Sequence, residues 1–466
     1  MLTSMRIRNF KAWRDTGSIR LAPLTVIFGA NSAGKSSLGH LLQALRQTVV
    51  SADRKQALQL GDEHSPIDLG TFADCIHNHD LDQPLAFSLG WRPPQALELR
   101  DPLSQRPFRG DELRLDVSLR ADAQAQPRVR ELAYQLLERG NPSLALRYGC
   151  DAAGQWQLDA GEYPLLRSSG RALPLEAPDK FYRLSDQSRA AFQNADFLND
   201  LALELEAALT DLHYLGPLRE YPRRLYNWSG EAPENVGHKG ERAIAAILAA
   251  IAEGRRLSRG PGQPEAPFDA FIAGWLVELG IIDAFSVQPV APGRREYEVR
   301  VKIHALASEV RLTDVGFGVS QILPALVQAF YCPAHSTVWM EQPEIHLHPQ
   351  VQAELADVFI AAIQARENGR ERHVQLIVES HSEHFLNRLQ RRVAEGVLAP
   401  EQVAVYFCHR AGAAAELEPL RLNAYGEIEN WPENFFGDEM ADIAGRTLAA
   451  VRRRQQSRDG HDRGRD

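Results

Sequence analysis

One stretch constrains this chain more than any other: Gly29-Ala-Asn-Ser-Ala-Gly34-Lys35-Ser36. It fits G-x-x-x-x-G-K-[ST], the pattern of a phosphate-binding loop. The run before it, Leu24-Thr-Val-Ile-Phe28, is short, apolar and β-branched, and reads as a buried strand. After it, Leu38, Leu41, Leu42 and Leu45 recur at helical spacing. Gly29 and Gly34 let the backbone turn its N–H groups inward, where a side chain would block the approach of a phosphate. Ala30, Asn31, Ser32 and Ala33 complete the loop, and Ser37 follows in the first helical turn. The helix N-terminus adds partial positive charge. Lys35 is the residue to reach β- and γ-phosphates and Ser36 the one to ligate Mg²⁺, so ATP and Mg²⁺ are the expected cofactors.

At 466 residues the chain has room for two to three domains, or for one large nucleotidase head with insertions. Its net charge of −9 argues against a uniformly nucleic-acid-coating surface and leaves room for a local basic groove. Cys75, Cys150, Cys332 and Cys408 are far apart with no C-x-x-C spacing, which points to a reducing compartment and away from disulfides or zinc. The N-terminus has no signal-peptide apolar core, and the stretch near Ala243–Ala252 is too short to span a bilayer. A cytoplasmic protein without a membrane partner is expected.

In chain order, Met5 to Trp13 alternates and reads as a strand; Phe10 and Trp13 either stack on an adenine ring or pack in the core. From Leu85 to about Leu158, short alternating segments separated by Gly, Pro and Asp suggest an antiparallel meander. Ser188–Leu212 reads as one long amphipathic helix. Tyr214-Leu-Gly216-Pro217-Leu-Arg219 and Val236-Gly237-His-Lys239-Gly240-Glu241-Arg242 form either a basic phosphate-facing lid or an ordered connecting loop. Ala243–Glu253 and Phe268–Leu279 read as helices. Thr337-Val-Trp-Met340, Leu376-Ile-Val378 and Val403-Ala-Val-Tyr-Phe407 read as strands, the first ending in Glu341-Gln342-Pro343-Glu344 and the second in Glu379-Ser380-His381-Ser382. Each precedes a turn or helix, so the fold class is α/β with a mixed, mainly parallel sheet. Functional groups of such sheets gather at the carboxyl ends of strands, where Gly34, Glu341 and His381 fall.

These stations, in this order, resemble the ABC-type ATPases, in the branch containing the SMC, Rad50, RecF and overcoming-lysogenization-defect (OLD) proteins. The carriers are Arg-Asn-Phe10-Lys11-Ala-Trp13 with the phosphate loop, Thr313-Asp314-Val-Gly316-Phe-Gly318-Val-Ser320-Gln321 at the signature position, Glu341-Gln-Pro-Glu344-Ile-His346-Leu-His348-Pro349 at the Walker B and D-loop, and Ser380-His381-Ser382 at the switch histidine. Trp431-Pro-Glu-Asn-Phe-Phe436 is similar to the end of an uncharacterised OLD-like subgroup. The resemblance implies an ATPase head formed by residues 1–84 and 300–445; the residue pattern between them gives an antiparallel lobe at 85–186 and a helical and loop insertion at 187–299, and the Arg452–Arg454 cluster with the Arg/Asp run after it reads as a helix end and a disordered charged tail, 446–466. The resemblance also implies a homodimer in which each phosphate loop faces the partner's Gly316, Gly318, Ser320 and Gln321. Glu341 would hold Mg²⁺ together with Ser36, and His381 would sense the terminal phosphate. Two departures stand out. The second Walker B position is Gln342, which aligns water but accepts no proton, so hydrolysis is slow or Glu344 supplies the carboxylate. Gly316 occupies the usual serine position of the signature, with Ser320 as the nearest replacement. No glutamine loop is assigned. His346-x-His348 has metal-compatible spacing but no evident Asp or Cys partner. Relatives act in anti-phage defence or DNA repair, often controlling a nuclease. With 85 residues after His381 (466 − 381) and no TOPRIM pattern, a separate effector protein is expected, and DNA is an alternative target.

Overall fold

The apolar runs assemble into one six-stranded sheet in the computed structural model of the chain, which describes residues 1–102, 105–151, 153–169 and 173–432. Across the sheet the order is Leu212–Leu215, Thr337–Glu341, Gln375–Ser380, Leu24–Gly29, Val403–Ala411 and Ala414–Leu420. The first five strands are parallel and the last closes an antiparallel hairpin. Parallel strands covered on both faces read as continuous apolar runs, which is why Leu24–Phe28 and Thr337–Met340 carry no polar alternation.

Successive side chains of these strands divide between two cores. Ile27, Trp339, Ile377 and Tyr406 join Leu38, Leu41 and Leu42 of the helix Lys35–Val50 on one face. Val26, Phe28, Val338, Met340, Leu376 and Val378 join the helices Phe317–Tyr331, Pro349–Gln364 and Glu383–Ala394 on the other. The sheet is thus the shared wall of two apolar clusters, and its carboxyl edge is where buried chain emerges.

A second, eight-stranded sheet is antiparallel. Leu85–Trp91, Glu112–Ala121, Pro127–Glu138, Asn141–Cys150 and Trp156–Asp159 form the meander, and Leu2–Phe10, Trp13–Asp15 and Ile19–Arg20 extend it. Glu112–Ala121 alternates buried and half-buried residues along most of its length, the period of a strand with one face on the core. Because Leu2–Phe10 pairs with Leu85–Trp91, hydrogen bonding is continuous across the expected boundary at 84/85.

Two stretches differ from the sequence reading. Ser188–Leu212 is not one helix: Asp186–Ala190 and Phe197–Thr210 are separate, and the chain re-enters the main sheet at Leu212. Asn194 interrupts it. Its side-chain amide donates to the Pro164 carbonyl at 2.8 Å and accepts from the Leu166 N–H at 2.9 Å, while its carbonyl accepts from the Tyr163 hydroxyl at 2.7 Å. Such side-chain competition for backbone groups disfavours a helix interior. The second difference is a hairpin, Ala284–Pro289 with Glu296–Lys302, which crosses the expected boundary at 299/300. The Phe-Phe part of the Trp431 stretch, the Arg452–Arg454 cluster and the tail at 446–466 lie outside the described residues. No described helix is long and apolar enough to cross a membrane.

Candidate nucleotide-binding site

The strand Leu24–Gly29 delivers the chain to its loop so tightly that a Cβ at Gly29 would lie 2.0 Å from the Cys408 carbonyl oxygen. Gly34 has φ +106°, in the region that favours glycine. Beneath the loop, the buried Trp13 indole donates to the Gly34 carbonyl at 3.1 Å and approaches the Ser37 hydroxyl at 3.0 Å. Phe10 and Trp13 are fully buried, so the core-packing alternative is realised for both. Ala30, Asn31 and Ser32 are exposed, whereas Ala33 is buried and its carbonyl accepts from the Cys408 thiol.

Lys35 is buried, and its ammonium donates to the carbonyls of Gly29 at 2.8 Å and Ala30 at 2.9 Å. Burial lowers its pKa, with the Glu379 carboxylate acting in the opposite sense. Both partners belong to the loop itself, so incoming phosphate oxygens can exchange for them without disturbing the sheet.

Ser36 donates to Glu379 Oε2 at 2.8 Å. Glu379 stands directly opposite Glu341 on the neighbouring strand and takes the Trp339 indole N–H on Oε1 at 2.7 Å. Glu341 Oε1 accepts from the Tyr214 hydroxyl at 2.6 Å and lies 3.6 Å from His40 Nε2. Burial raises the pKa of both carboxyls, and for Glu379 the Glu341 charge adds to it. Burial also lowers His40 to about 4, so it is neutral at pH 7. Glu379, Tyr214 and His40 were not site residues in the sequence reading. For Glu379 the signal is a carboxylate ending an apolar strand; for Tyr214 it is only the stretch Tyr214–Arg219 as a lid or connecting loop, with nothing to join it to Glu341, 127 residues away.

The next turn completes the group. Glu344 Oε1 accepts from the Ser380 hydroxyl at 2.9 Å and from the His381 N–H at 2.7 Å, while Oε2 has no partner. Burial raises its pKa. Gln342 has φ +43° and donates its N–H to the Glu379 carbonyl at 2.9 Å. The side chains of Gln342, Glu344 and His381 share a cleft of ≈380 Å³ with Asn31, His346 and Ser382. Burial first, and the Lys35 charge second, lower His381 to about 4, and its Nε2 has no partner.

The Ser36 hydroxyl with the Glu341 and Glu379 carboxylates is an all-oxygen donor set, which fits Mg²⁺. Among the described residues no three His, Cys, Asp or Glu side chains form a metal cage, in keeping with an ion that takes its remaining ligands from phosphate and water. His348 caps the helix Pro349–Gln364, its Nδ1 accepting from the Gln350 N–H at 3.4 Å. The signature stretch contributes to a different surface. Gly316 precedes the helix Phe317–Tyr331, and a Cβ at Gly316 or Gly318 meets nothing within 4 Å. Ser320 and Gln321 are buried in its first turns, and Ser320 lines a depression with Glu220, Arg223 and Glu241.

Residues 282–386 match the AAA ATPase domain family, and residues 398–445 match a family described as protein of unknown function (DUF3696). The first matched segment contains Glu341, Glu344, Glu379 and His381, and the phosphate loop lies outside it. No curated protein matches the sequence. Among solved structures, the chain is similar to an Smc head bound to the C-winged helix domain of ScpA (11% identity, TM-score 0.41, covering 91% of this chain and 98% of that one). It is similar to an SMC head domain from Thermotoga maritima (10%, 0.38, 90% and 98%). It is also similar to an Smc head domain with an extended coiled coil, bound to the C-terminal domain of ScpA derived from Pyrococcus furiosus (10%, 0.39, 97% and 99%).

Proposed function

We propose that this chain is an ATP-binding, slowly hydrolysing switch that works as a homodimer and controls a separately encoded effector. The observation that supports it most is the convergence of the Lys35–Ser36 loop with three buried carboxylates, Glu341, Glu344 and Glu379, at one edge of the parallel sheet. Lys35 would exchange its loop carbonyls for the β- and γ-phosphates. Ser36, Glu341 and Glu379 would hold Mg²⁺, which when bound supplies positive charge to the phosphate oxygens. Glu344, which lines the cleft and has one oxygen without a hydrogen-bond partner, would take the proton of the attacking water; Gln342 would orient that water, and neutral His381 would offer Nε2 as a polar contact to the terminal phosphate. Slow turnover follows from a base whose other oxygen is fixed by Ser380 and His381.

The unobstructed helix start at Gly316 and Gly318 suits a partner's phosphates, as the resemblance implies. Anti-phage defence is the role that the resemblance to the OLD branch implies, with the cytoplasm as its compartment. Direct action on DNA ranks second. Several arginines of the antiparallel sheet are matched by acids, as in Arg6–Asp15, Arg114–Asp116 and Arg147–Glu131, while Arg8 and Arg14 line an open cleft with His77 and Glu131. Sedimentation velocity with and without a non-hydrolysable ATP analogue tests the switch. The expected result is a nucleotide-dependent doubling of mass that Gly318→Phe prevents. A mass that is the same in both conditions contradicts it.

A further inference from the structure

The segment that leaves the edge strand Leu212–Leu215 inverts the usual order of burial. Leu218 and Tyr221 are 75% and 72% exposed, while Arg219 between them is 8% exposed. Arginine is seldom buried without a partner, so such an inversion calls for a reason at the buried end. The segment is not a loose loop. The Gly216 N–H donates to the His238 carbonyl at 2.8 Å and the Glu220 N–H to the Lys239 carbonyl at 2.9 Å, which pins both ends of Pro217–Arg219.

The edge strand runs parallel to Thr337–Glu341, so the residues beyond its carboxyl end arrive beside Glu341. One guanidinium nitrogen of Arg219 donates to the Glu341 carbonyl at 3.3 Å. Nε and the remaining terminal nitrogen have no partner, although both are buried. The guanidinium interacts electrostatically with Tyr214, Glu341 and Glu344, of which Glu344 lines the cleft. Two unmet donors of a buried fork are costly to the nucleotide-free fold and are matched in shape by paired oxygens of a carboxylate or a phosphate. Glu341 already accepts from Tyr214, and Glu344 from Ser380 and His381.

We propose that Arg219 reads the terminal phosphate of ATP from within the same chain, its free guanidinium edge taking phosphate oxygens and so distinguishing ATP from ADP. This rests on the ATP reading given above. It places at the end of the edge strand a cation where the sequence offered either a lid or a connecting loop, and gives that segment a binding role independent of any partner molecule.

The test compares equilibrium binding of a non-hydrolysable ATP analogue and of ADP, both with Mg²⁺, to the full chain and to Arg219→Ala and Arg219→Lys. Loss of a charge-assisted pair corresponds to about tenfold to hundredfold in affinity. Arg219→Ala is therefore expected to weaken the ATP analogue by about that factor and ADP by less than about threefold. Arg219→Lys, with the charge but not the fork, recovers part of the difference. An equal loss for both nucleotides would make Arg219 a structural prop and overturn the inference, as would an unchanged ratio. If the unaltered chain binds neither nucleotide, the ATP reading falls and this inference with it. If melting shows that Arg219→Ala does not fold, the ratio in Arg219→Lys decides in the same way.

Discussion

Glu344 and Gln342 share one cleft but have different chemistry. A carboxylate accepts a proton, whereas an amide only orients the water that gives one up. A positioned general base contributes about 10²–10⁴-fold. Glu344→Gln is therefore expected to reduce ATP turnover by about that factor, and Gln342→Ala by clearly less. Steady-state phosphate release measures both, and equal losses would mean that orientation alone operates. The pH profile has a definite sign. Burial raises the pKa of Glu344, and the base must be ionised, so turnover falls as pH drops through a value above the ordinary glutamate range of about 4.3. An acid limb that persists unchanged in Glu344→Gln would exclude Glu344 as its source. In the sequence Glu344 is visible because it follows an apolar strand by a fixed short turn. What is not visible is that Ser380 and His381 bind its carboxylate, because that contact needs two strands side by side. The same holds for Glu379, whose significance comes from lying opposite Glu341.

At the scale of elements, the phosphate-loop helix meets the sheet at Gly39 with no room for a side chain. A Cβ at Gly39 would lie 2.5 Å from Trp339, whose indole holds Glu379. Alanine is otherwise the better helix residue, by about 1 kcal/mol over glycine. The same change should thus act with opposite signs in two helices. Gly39→Ala should destabilise by about 1–3 kcal/mol through overpacking against Trp339. Gly274→Ala, in the helix Phe268–Glu278 and with nothing within 4 Å, should stabilise by about 1 kcal/mol. Denaturant unfolding of the two variants decides, and a stable Gly39→Ala would mean that Trp339 is free to move. Strands with a single period, such as Leu24–Gly29 and Glu112–Ala121, are legible in sequence because burial alone dictates them. Leu212–Leu215 is not, because four residues at an edge continue the apolar spacing of the helix before them, and only the pairing with Thr337–Glu341 separates the two.

At the scale of the whole molecule, the nucleotide edge belongs to a sheet that is the common wall of two cores. Under the proposed function, displacement of that edge would reach the antiparallel sheet through one face and the helices through the other. The chemistry of the described residues gathers at that edge, so the chain alone is expected to leave plasmid, single-stranded DNA and tRNA intact in the presence of ATP with Mg²⁺ or Mn²⁺. Cleavage that disappears on replacing a carboxylate between residues 85 and 300 would make the chain a nuclease instead. The proposed switch depends on Lys35 meeting phosphate. Calorimetric titration of Mg²⁺ and ATP into the full chain and into Lys35→Ala is the most direct measurement of it. The account predicts that the variant, still folded by its melting curve, loses most of its ATP affinity; binding as tight as that of the unaltered chain would contradict it.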